Sequence, residues 1–89
     1  MVTKTRPVLI LSTAYLDNER AVVSYVVRTT SQRCTRFEVP HVSRGVSPGD
    51  FDAQGLGTIP DVKLERRLGV VDTQTLIRVE AAVRAWLEL

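Results

Sequence analysis

Two apolar runs separated by a polar stretch dominate the first third of the chain. Residues 7–11 are all apolar and are followed by Ser12, and residues 21–28 are rich in Val and also contain a Tyr. The first run is typical of a strand buried on both faces, and the composition of the second also favours a strand. Residues 17–20 are all polar and indicate a turn. The pattern therefore predicts a hairpin from Arg6 to Arg28.

The middle of the chain shows weaker strand signals. Residues 36–39 alternate polar and apolar side chains, which predicts a half-buried strand. Pro40 places that strand at a sheet edge or ends it near residues 41–42. Residues 43–49 are expected to form a loop, because they contain two glycines and a proline. Residues 51–59 are expected to contain a short strand broken by two further glycines.

The last third of the chain changes to helical signals. Pro60-Asp61 predicts the start of a short helix that runs through Leu68 and stops at Gly69. Asp72 or Thr73 then caps a second helix that continues to the C-terminus. The apolar positions that give this helix one buried stripe, with the tryptophan expected in the core, are Leu76, Val79, Val83, Trp86 and Leu87.

Strands first and helices last predict an α+β protein that is mainly β. The expected architecture is a small curled antiparallel sheet closed by a C-terminal helix. With 89 residues and no internal repeat, residues 1–89 are expected to form one domain. A core of this size is marginal, and association often adds stability.

The composition of the chain indicates a protein of the cytoplasm. No apolar run approaches the ~20 residues of a membrane span, so no membrane association is expected. Residues 1–4 lead straight into the first strand without a cleavage site, so no secretory signal is expected. Cys34 is the only cysteine, which fits the reducing cytoplasm.

The charge is unevenly distributed. The chain has a net charge of +2, but residues 1–48 carry seven cationic and three acidic side chains, a net of +4. Residues 49–89 carry five cationic and seven acidic side chains. A basic half on a near-neutral protein fits a face that binds polyanions, but seven cations are few for a nucleic-acid-binding protein, so charge alone favours an Arg-rich solvated surface.

Several kinds of site are excluded by residue type. One cysteine and one histidine cannot form a usual zinc site, and neither a P-loop nor a GxSxG motif is present. We therefore expect no metal and no cofactor. His41, next to Pro40, is expected at the surface or a strand end rather than in catalysis.

Arg6 and the pair Thr29-Thr30 are the remaining candidates for chemistry. They stand at the open ends of the predicted hairpin strands, so a guanidinium and one or two hydroxyls can converge. An arginine fork fits two phosphate oxygens, and a hydroxyl adds a hydrogen bond to a third. Such a site would stabilise a pentacovalent phosphorus. The alternative is that Arg6 lies at a strand start for packing and the threonines are simply strand formers.

Five segments in order resemble the MazF/PemK family of bacterial toxins. The first resembles the family's xRPxxVxS strand, the second its VPxTS strand, and the fourth its xxDQxxTI strand. The third and fifth match the intervening strand and the closing helices. In order these are residues 4–12, 26–32, 37–39, 52–59 and 67–89.

The resemblance implies a small SH3-like β-barrel with a short helix and a C-terminal helix, assembled as a cytoplasmic homodimer. Family members are toxins of type II toxin–antitoxin systems, each opposed by an antitoxin protein. They cut single-stranded RNA at short sequences without a metal. The ribose 2′-OH attacks the adjacent phosphate and leaves a 2′,3′-cyclic phosphate and a 5′-OH.

The resemblance also implies roles for individual residues. Arg6 falls on the family's catalytic arginine, and the catalytic threonine falls on Thr29, or on Thr30 after a one-residue shift. Arg28 and Arg33 are expected to hold flanking phosphates, which position RNA without reading its sequence. The full set of expected RNA-binding residues is Lys4, Arg28, Ser31, Gln32, Arg33 and Gln54.

The chain departs from the family pattern in two respects. It begins just before the RP motif, so the family's usual first strand and the mobile loop after it are missing. Gln54 stands where many members carry an acid, which leaves Glu38 and His41 as the only candidate bases, on proximity alone. Two alternatives therefore stay open. One is a shortened relative that binds RNA or an antitoxin without cutting; the other is an unrelated domain that takes a peptide strand at residues 36–42.

Overall fold

A computed structural model describes residues 5–89. The predicted Lys4 site therefore lies outside the described residues. Four strands and one helix make up the regular structure of residues 5–89. The elements are β1 (Val8–Ile10), β2 (Val22–Thr29), β3 (Glu38–Ser43), β4 (Val46–Pro60), a 3₁₀ turn (Asp61–Lys63) and α1 (Thr73–Leu87).

The strands form one antiparallel sheet in the order β1-β2-β4-β3. This curled sheet with a helix at the C-terminus confirms the mainly β, α+β class. The hairpin of β1 with β2 and the edge position of the strand with Pro40 are also confirmed. The prediction that the first run is buried on both faces was wrong. β1 has only three residues and lies at the other edge, so its side chains are half-buried or exposed.

The loop predicted at residues 43–49 is instead a tight turn followed by a strand. Only Arg44 and Gly45 form the turn, and Gly45 adopts a left-handed φ of 78° that suits glycine. Pro48 is tolerated in β4 because it falls in the irregular stretch between the His41–Gly49 and Ser43–Val46 pairs. A missing N–H there breaks no regular ladder.

The glycines of β4 mark a bulge rather than the predicted strand break. Val26 pairs with Leu56 while its neighbour Val27 pairs with Asp52, so β4 carries three extra residues between these partners. A Cβ on Gly55 would lie 2.5 Å from Val27 Cγ2, so the absence of a side chain lets the two strands approach. The bulge bends β4 and lets one long strand pair with both β2 and β3.

The short helix predicted from Pro60 to Leu68 was wrong in extent. Only the 3₁₀ turn forms, and Leu64 already has an extended conformation with ψ of 132°. No side chain caps the N-terminus of this turn. Isolated helices of this length are marginal without a cap or a packed face, so residues 64–72 lack regular structure.

The C-terminal helix confirms its predicted cap, but its buried stripe only in part: Val79 is buried, Leu76 and Val83 are half-buried, and Trp86 and Leu87 are exposed. The Asp72 carboxylate accepts hydrogen bonds from the backbone N–H of Thr75 at 3.1 Å and from its hydroxyl at 2.6 Å. The helix packs on β3 and β4. The expectation of a core tryptophan was wrong: Trp86 is 43% exposed, with its ring 5.3 Å from that of Phe37 in an edge arrangement. The core residues are Val26, Phe37, Val39, Phe51, Ala53, Val79 and Ala82.

Val26 should be the most sensitive aliphatic position of the sheet, because it is fully buried on the central strand. We expect Val26→Ala to lower the free energy of unfolding by about 2 kcal/mol, from lost transfer energy and a residual cavity. Val62→Ala removes the same atoms from a side chain that is 83% exposed and should cost under about 0.5 kcal/mol. Urea denaturation of both variants measures the difference. Equal losses would contradict a core centred on β2.

Candidate functional site

The register of the β1–β2 hairpin sets Arg6 against the end of β2. Val8 pairs with Val27, and the backbone N–H of Arg28 donates to the carbonyl of Pro7 at 3.1 Å. Continuing this antiparallel register by one more residue places Arg6 opposite Thr29. The hairpin therefore brings together the guanidinium and the hydroxyl that the sequence paired.

An open pocket of about 350 Å³ lies at this end of the sheet. Both candidate catalytic threonines line it together with Arg6, and so do Arg28 and Ser31 from the predicted RNA-binding set. Among the described residues, its lining contains no carboxylate and no imidazole. The described lining residues are Arg6, Pro7, Arg28, Thr29, Thr30, Ser31, Val46 and Ser47.

The two threonines differ in how firmly they are held. The Thr29 hydroxyl oxygen accepts a hydrogen bond from the backbone N–H of Ser31 at 3.0 Å, so its own proton stays free to donate. Thr29 is half-buried as the last residue of β2, whereas Thr30 is exposed in the bend that follows. Of the two, the Thr29 hydroxyl is therefore the one that a hydrogen bond among the described residues holds in place.

Arg28 is buried at the base of the pocket, with only 7% of its surface exposed. Its Nε donates to Nδ1 of His41 at 2.9 Å. One terminal nitrogen, Nη2, donates to the carbonyl of His41 at 2.9 Å and to that of Ser47 at 2.7 Å. Three hydrogen bonds fix the guanidinium plane, so Arg28 cannot extend along a surface path to a flanking phosphate. Any anion it binds must enter the pocket.

Gly49 provides the space that Arg28 occupies. A Cβ at this position would lie 2.9 Å from Nη1 of Arg28, 3.1 Å from its Cζ and 2.6 Å from the carbonyl oxygen of Thr29. The contact with backbone could not relax easily, so a side chain would push the two strands or the guanidinium aside. The sequence did not indicate this close approach, because Gly49 ends the run that was predicted to form a loop.

His41 lies on β3, held from two sides. Its ring stacks on Phe51 with centroids 4.8 Å apart, and its Nδ1 accepts from Arg28. Burial lowers the pKa of the imidazole below 6.5; the neighbouring Arg28 charge lowers it further, while Asp72 partly opposes the shift. The neutral ring with its proton on Nε2 is therefore favoured. His41 thus positions Arg28, a role that its place beside Pro40 did not indicate.

Glu38 anchors a loop and does not line the pocket. Its carboxylate accepts from the backbone N–H of Arg33 at 3.1 Å and from that of Thr35 at 3.2 Å. Desolvation raises the pKa of the carboxyl, but these donors outweigh it and leave the pKa below its usual value. An acid that is ionised and already hydrogen-bonded makes a weak base.

Gln32, Arg33 and Gln54 from the predicted RNA-binding set do not line the pocket. Gln32 donates from its side-chain nitrogen to Asp50 at 3.0 Å, and Asp50 is only 3% exposed. This bond ties the loop after β2 to β4 and was not foreseen from the sequence. Arg33 is exposed in the same loop. Gln54 is exposed on the β4 bulge, where its backbone N–H donates to Asp52 at 3.0 Å.

No group of three or more His, Cys, Asp or Glu side chains among residues 5–89 is placed to hold a metal ion. No helix in the described part of the chain is both long and apolar enough to cross a lipid bilayer.

Comparisons with known proteins show which family and which solved structures the chain resembles. The family model described as PemK-like, MazF-like toxin of type II toxin–antitoxin system matches residues 2–87. The solved structure of the Mycobacterium tuberculosis toxin MazF-mt6 is similar with a TM-score of 0.81 and 27% identity, over 94% of this chain and 87% of that one. The solved structure of a mycobacterial endoribonuclease in complex with its cognate antitoxin is similar with a TM-score of 0.82 and 26% identity, over 94% of this chain and 82% of that one. No curated protein sequence matches.

The histidine offers a direct test of the buried arginine. Because His41 is the only histidine, its ¹H NMR signal identifies it without assignment. We expect a titration midpoint below 6.5, and a midpoint closer to 6.5 in Arg28→Gln, which removes the neighbouring charge. A midpoint at or above 6.5 in the wild type would contradict the described contact.

The same shift predicts how stability depends on pH. Below about pH 6.5 the unfolded chain binds a proton that folded His41 resists, so the free energy of unfolding should fall as the pH falls through this range. His41→Gln keeps an acceptor for Arg28 and removes the titration. Urea denaturation at pH 7.5 and pH 5.5 should show a smaller loss in this variant than in the wild type.

Proposed function

Because the chain belongs to the family of PemK-like and MazF-like toxins of type II toxin–antitoxin systems, we propose that it is a metal-independent endoribonuclease. Its substrate is single-stranded RNA, mRNA in the cell, which it cleaves at a selected sequence in the cytoplasm. The observation that carries the proposal is the pocket in which Arg6 and the hydroxyls of Thr29 and Thr30 converge. The similarity to a solved endoribonuclease supports it.

The proposed reaction is an internal transfer of the phosphodiester. The ribose 2′-OH attacks phosphorus, the bond from phosphorus to the 5′-oxygen breaks, and a 2′,3′-cyclic phosphate and a 5′-OH result. The 2′-OH gives its proton to water, and the 5′-oxygen takes one from water. Water fills both roles here because the pocket lining offers neither a carboxylate nor an imidazole.

The pocket residues accelerate this reaction by stabilising charge. The Arg6 guanidinium binds two non-bridging oxygens of the phosphate, and the Thr29 hydroxyl donates to the developing negative charge. Thr30 and Ser31 contact the RNA beside this point. Along the path beyond the pocket, the residues proposed to touch the RNA are Lys4, Gln32, Arg33 and Gln54.

The proposed partners are a cognate antitoxin and a second copy of the chain. A similar endoribonuclease was solved with its antitoxin, which supports an antitoxin partner for this chain. A homodimer would cover apolar surface that a domain of this size cannot bury alone.

A second candidate function is RNA or antitoxin binding without cleavage. The absence of a carboxylate or imidazole from the pocket lining favours it, because most nucleases place a general base at the attacking hydroxyl. In this case the protein retains RNA with a strong salt dependence and releases no cyclic phosphate.

Arg6→Ala is the primary test of the nuclease. We expect the wild-type protein to cut an end-labelled single-stranded RNA in excess EDTA, and Arg6→Ala to reduce the rate by about 10²–10³-fold, because the phosphate loses its main cationic ligand. Arg78→Ala removes an exposed helix arginine outside the pocket and should cut at the wild-type rate.

The result separates the two candidate functions. Discrete fragments with cyclic-phosphate ends, lost only in Arg6→Ala, support the nuclease. Salt-sensitive RNA binding by a folded wild-type protein that yields no fragments would remove the nuclease and leave the binding protein.

The two threonines can be distinguished by isosteric substitution. We expect Thr29→Val to slow cleavage by about 10²-fold, because it removes the fixed hydroxyl, and Thr30→Val to slow it by less than about tenfold. Both variants keep a β-branched side chain, so folding should be preserved. The cleavage rates are compared at saturating RNA. The reverse order of effects would make Thr30 the catalytic hydroxyl.

A further inference from the structure

Arg28 carries a buried positive charge whose hydrogen bonds supply no counter-ion. Its side chain is 7% exposed. Within residues 5–89 the guanidinium donates only to uncharged acceptors: the Nδ1 of His41 and the carbonyls of His41 and Ser47. Buried charges in proteins are usually paired with an opposite charge, because desolvation of an ion is costly. An anion bound at the base of this pocket would therefore offset the cost of burying the Arg28 charge.

Arg28 lines the pocket and has one terminal nitrogen outside the hydrogen bonds that hold it. Those bonds use Nε and Nη2, and none among residues 5–89 uses Nη1. Arg28 and Arg6 both line the pocket, so the two guanidinium-bearing side chains border the same space.

The surroundings of the pocket select an oxyanion over other ligands. Two guanidinium groups and the hydroxyls of Thr29, Thr30 and Ser31 lie in its lining, while no acidic side chain does. Guanidinium groups bind phosphate oxygens through charge-assisted hydrogen bonds, and hydroxyls complete the coordination of such anions. The open form of the pocket admits a phosphate that is part of a longer chain.

We infer that Arg28 and Arg6 together form a two-guanidinium site that binds a phosphate-type oxyanion even when no RNA is present. Arg28 is the preorganised half, since three hydrogen bonds hold its plane, and exposed Arg6 is the half that closes on the ligand. That the natural occupant is the reacting phosphate of an RNA rests on the proposed function. The binding of a free oxyanion does not.

This inference gives Arg28 a different role from that of a flanking contact. An arginine on the open surface would add to affinity for long RNA only, in proportion to the number of phosphates contacted. An arginine at the base of the pocket should bind a single phosphate ion. Only other small oxyanions should displace that ion. Inorganic phosphate is therefore the sharpest probe.

The experiment is a titration of the purified full chain with sodium phosphate. Sodium chloride at matched ionic strength and pH serves as the reference, and the NMR signal of His41 reports binding, because His41 contacts Arg28 directly. We expect a saturable shift with phosphate and none with chloride. A parallel thermal melt should show phosphate-specific stabilisation.

Three variants assign the site. Arg28→Gln and Arg6→Ala should each weaken phosphate binding by about tenfold or more, since each removes a charge-assisted contact. Ser47→Glu changes an exposed residue of the lining and introduces a carboxylate that should occupy Arg28 and abolish the saturable shift. Arg78→Ala should bind phosphate as the wild type does.

The outcomes bear on the inference in separate ways. No saturable shift in the wild type overturns it, and so does wild-type binding by a folded Arg28→Gln. If Arg28→Gln does not fold, Ser47→Glu decides: loss of binding supports the site, and unchanged binding overturns it. RNA cleavage is scored independently, so phosphate binding without cleavage leaves the oxyanion site in place and removes only the proposed nuclease.

Discussion

The pairing of β2 with strands on both sides is the constraint on which the rest of the structure depends. β2 meets the short edge strand β1 on one side and the long strand β4 on the other. The first pairing places Arg6 against Thr29, and the second places Gly49 beneath Arg28. The three-residue bulge in β4 lets this strand pair with β2 on one side and with β3 on the other. One strand thus determines both the register of the core and the composition of the pocket.

The sequence allowed the parts of the fold that follow from local chemistry to be predicted. The hairpin, the edge strand marked by Pro40 and the helix capped by Asp72 each depend on nearby residues. The helix predicted from Pro60 failed because a favourable start cannot support a helix that has no packed face. Residues 43–49 form a turn and a strand because β3 offers a partner for Gly49 and Val46, which composition does not reveal. Trp86 remains 43% exposed, with its ring against Phe37 in the turn just before β3.

The sequence predicted the roles of Arg6 and the threonines in the candidate site, but not the buried position of Arg28. Arg6 and the threonines stood out because strand ends carry accessible polar groups, and the family resemblance assigned them roles. Arg28 has the same residue type, but its burial depends on Gly49, His41 and Ser47, which lie 13 or more residues away and reach it only through the sheet. Sequence patterns identify a charged residue; whether that charge keeps a counter-ion depends on tertiary contacts.

Because β1 lies at a sheet edge, the two arginines of the pocket are held by strands that differ in how easily they open. Arg28 belongs to the central strand, whose opening requires the core itself to open. Arg6 precedes a three-residue edge strand that pairs on one side only and can fray alone. Local opening of β1 would therefore separate Arg6 from Arg28 without opening the core. Any molecule that holds β1 in place would prolong the competent state without touching Arg28.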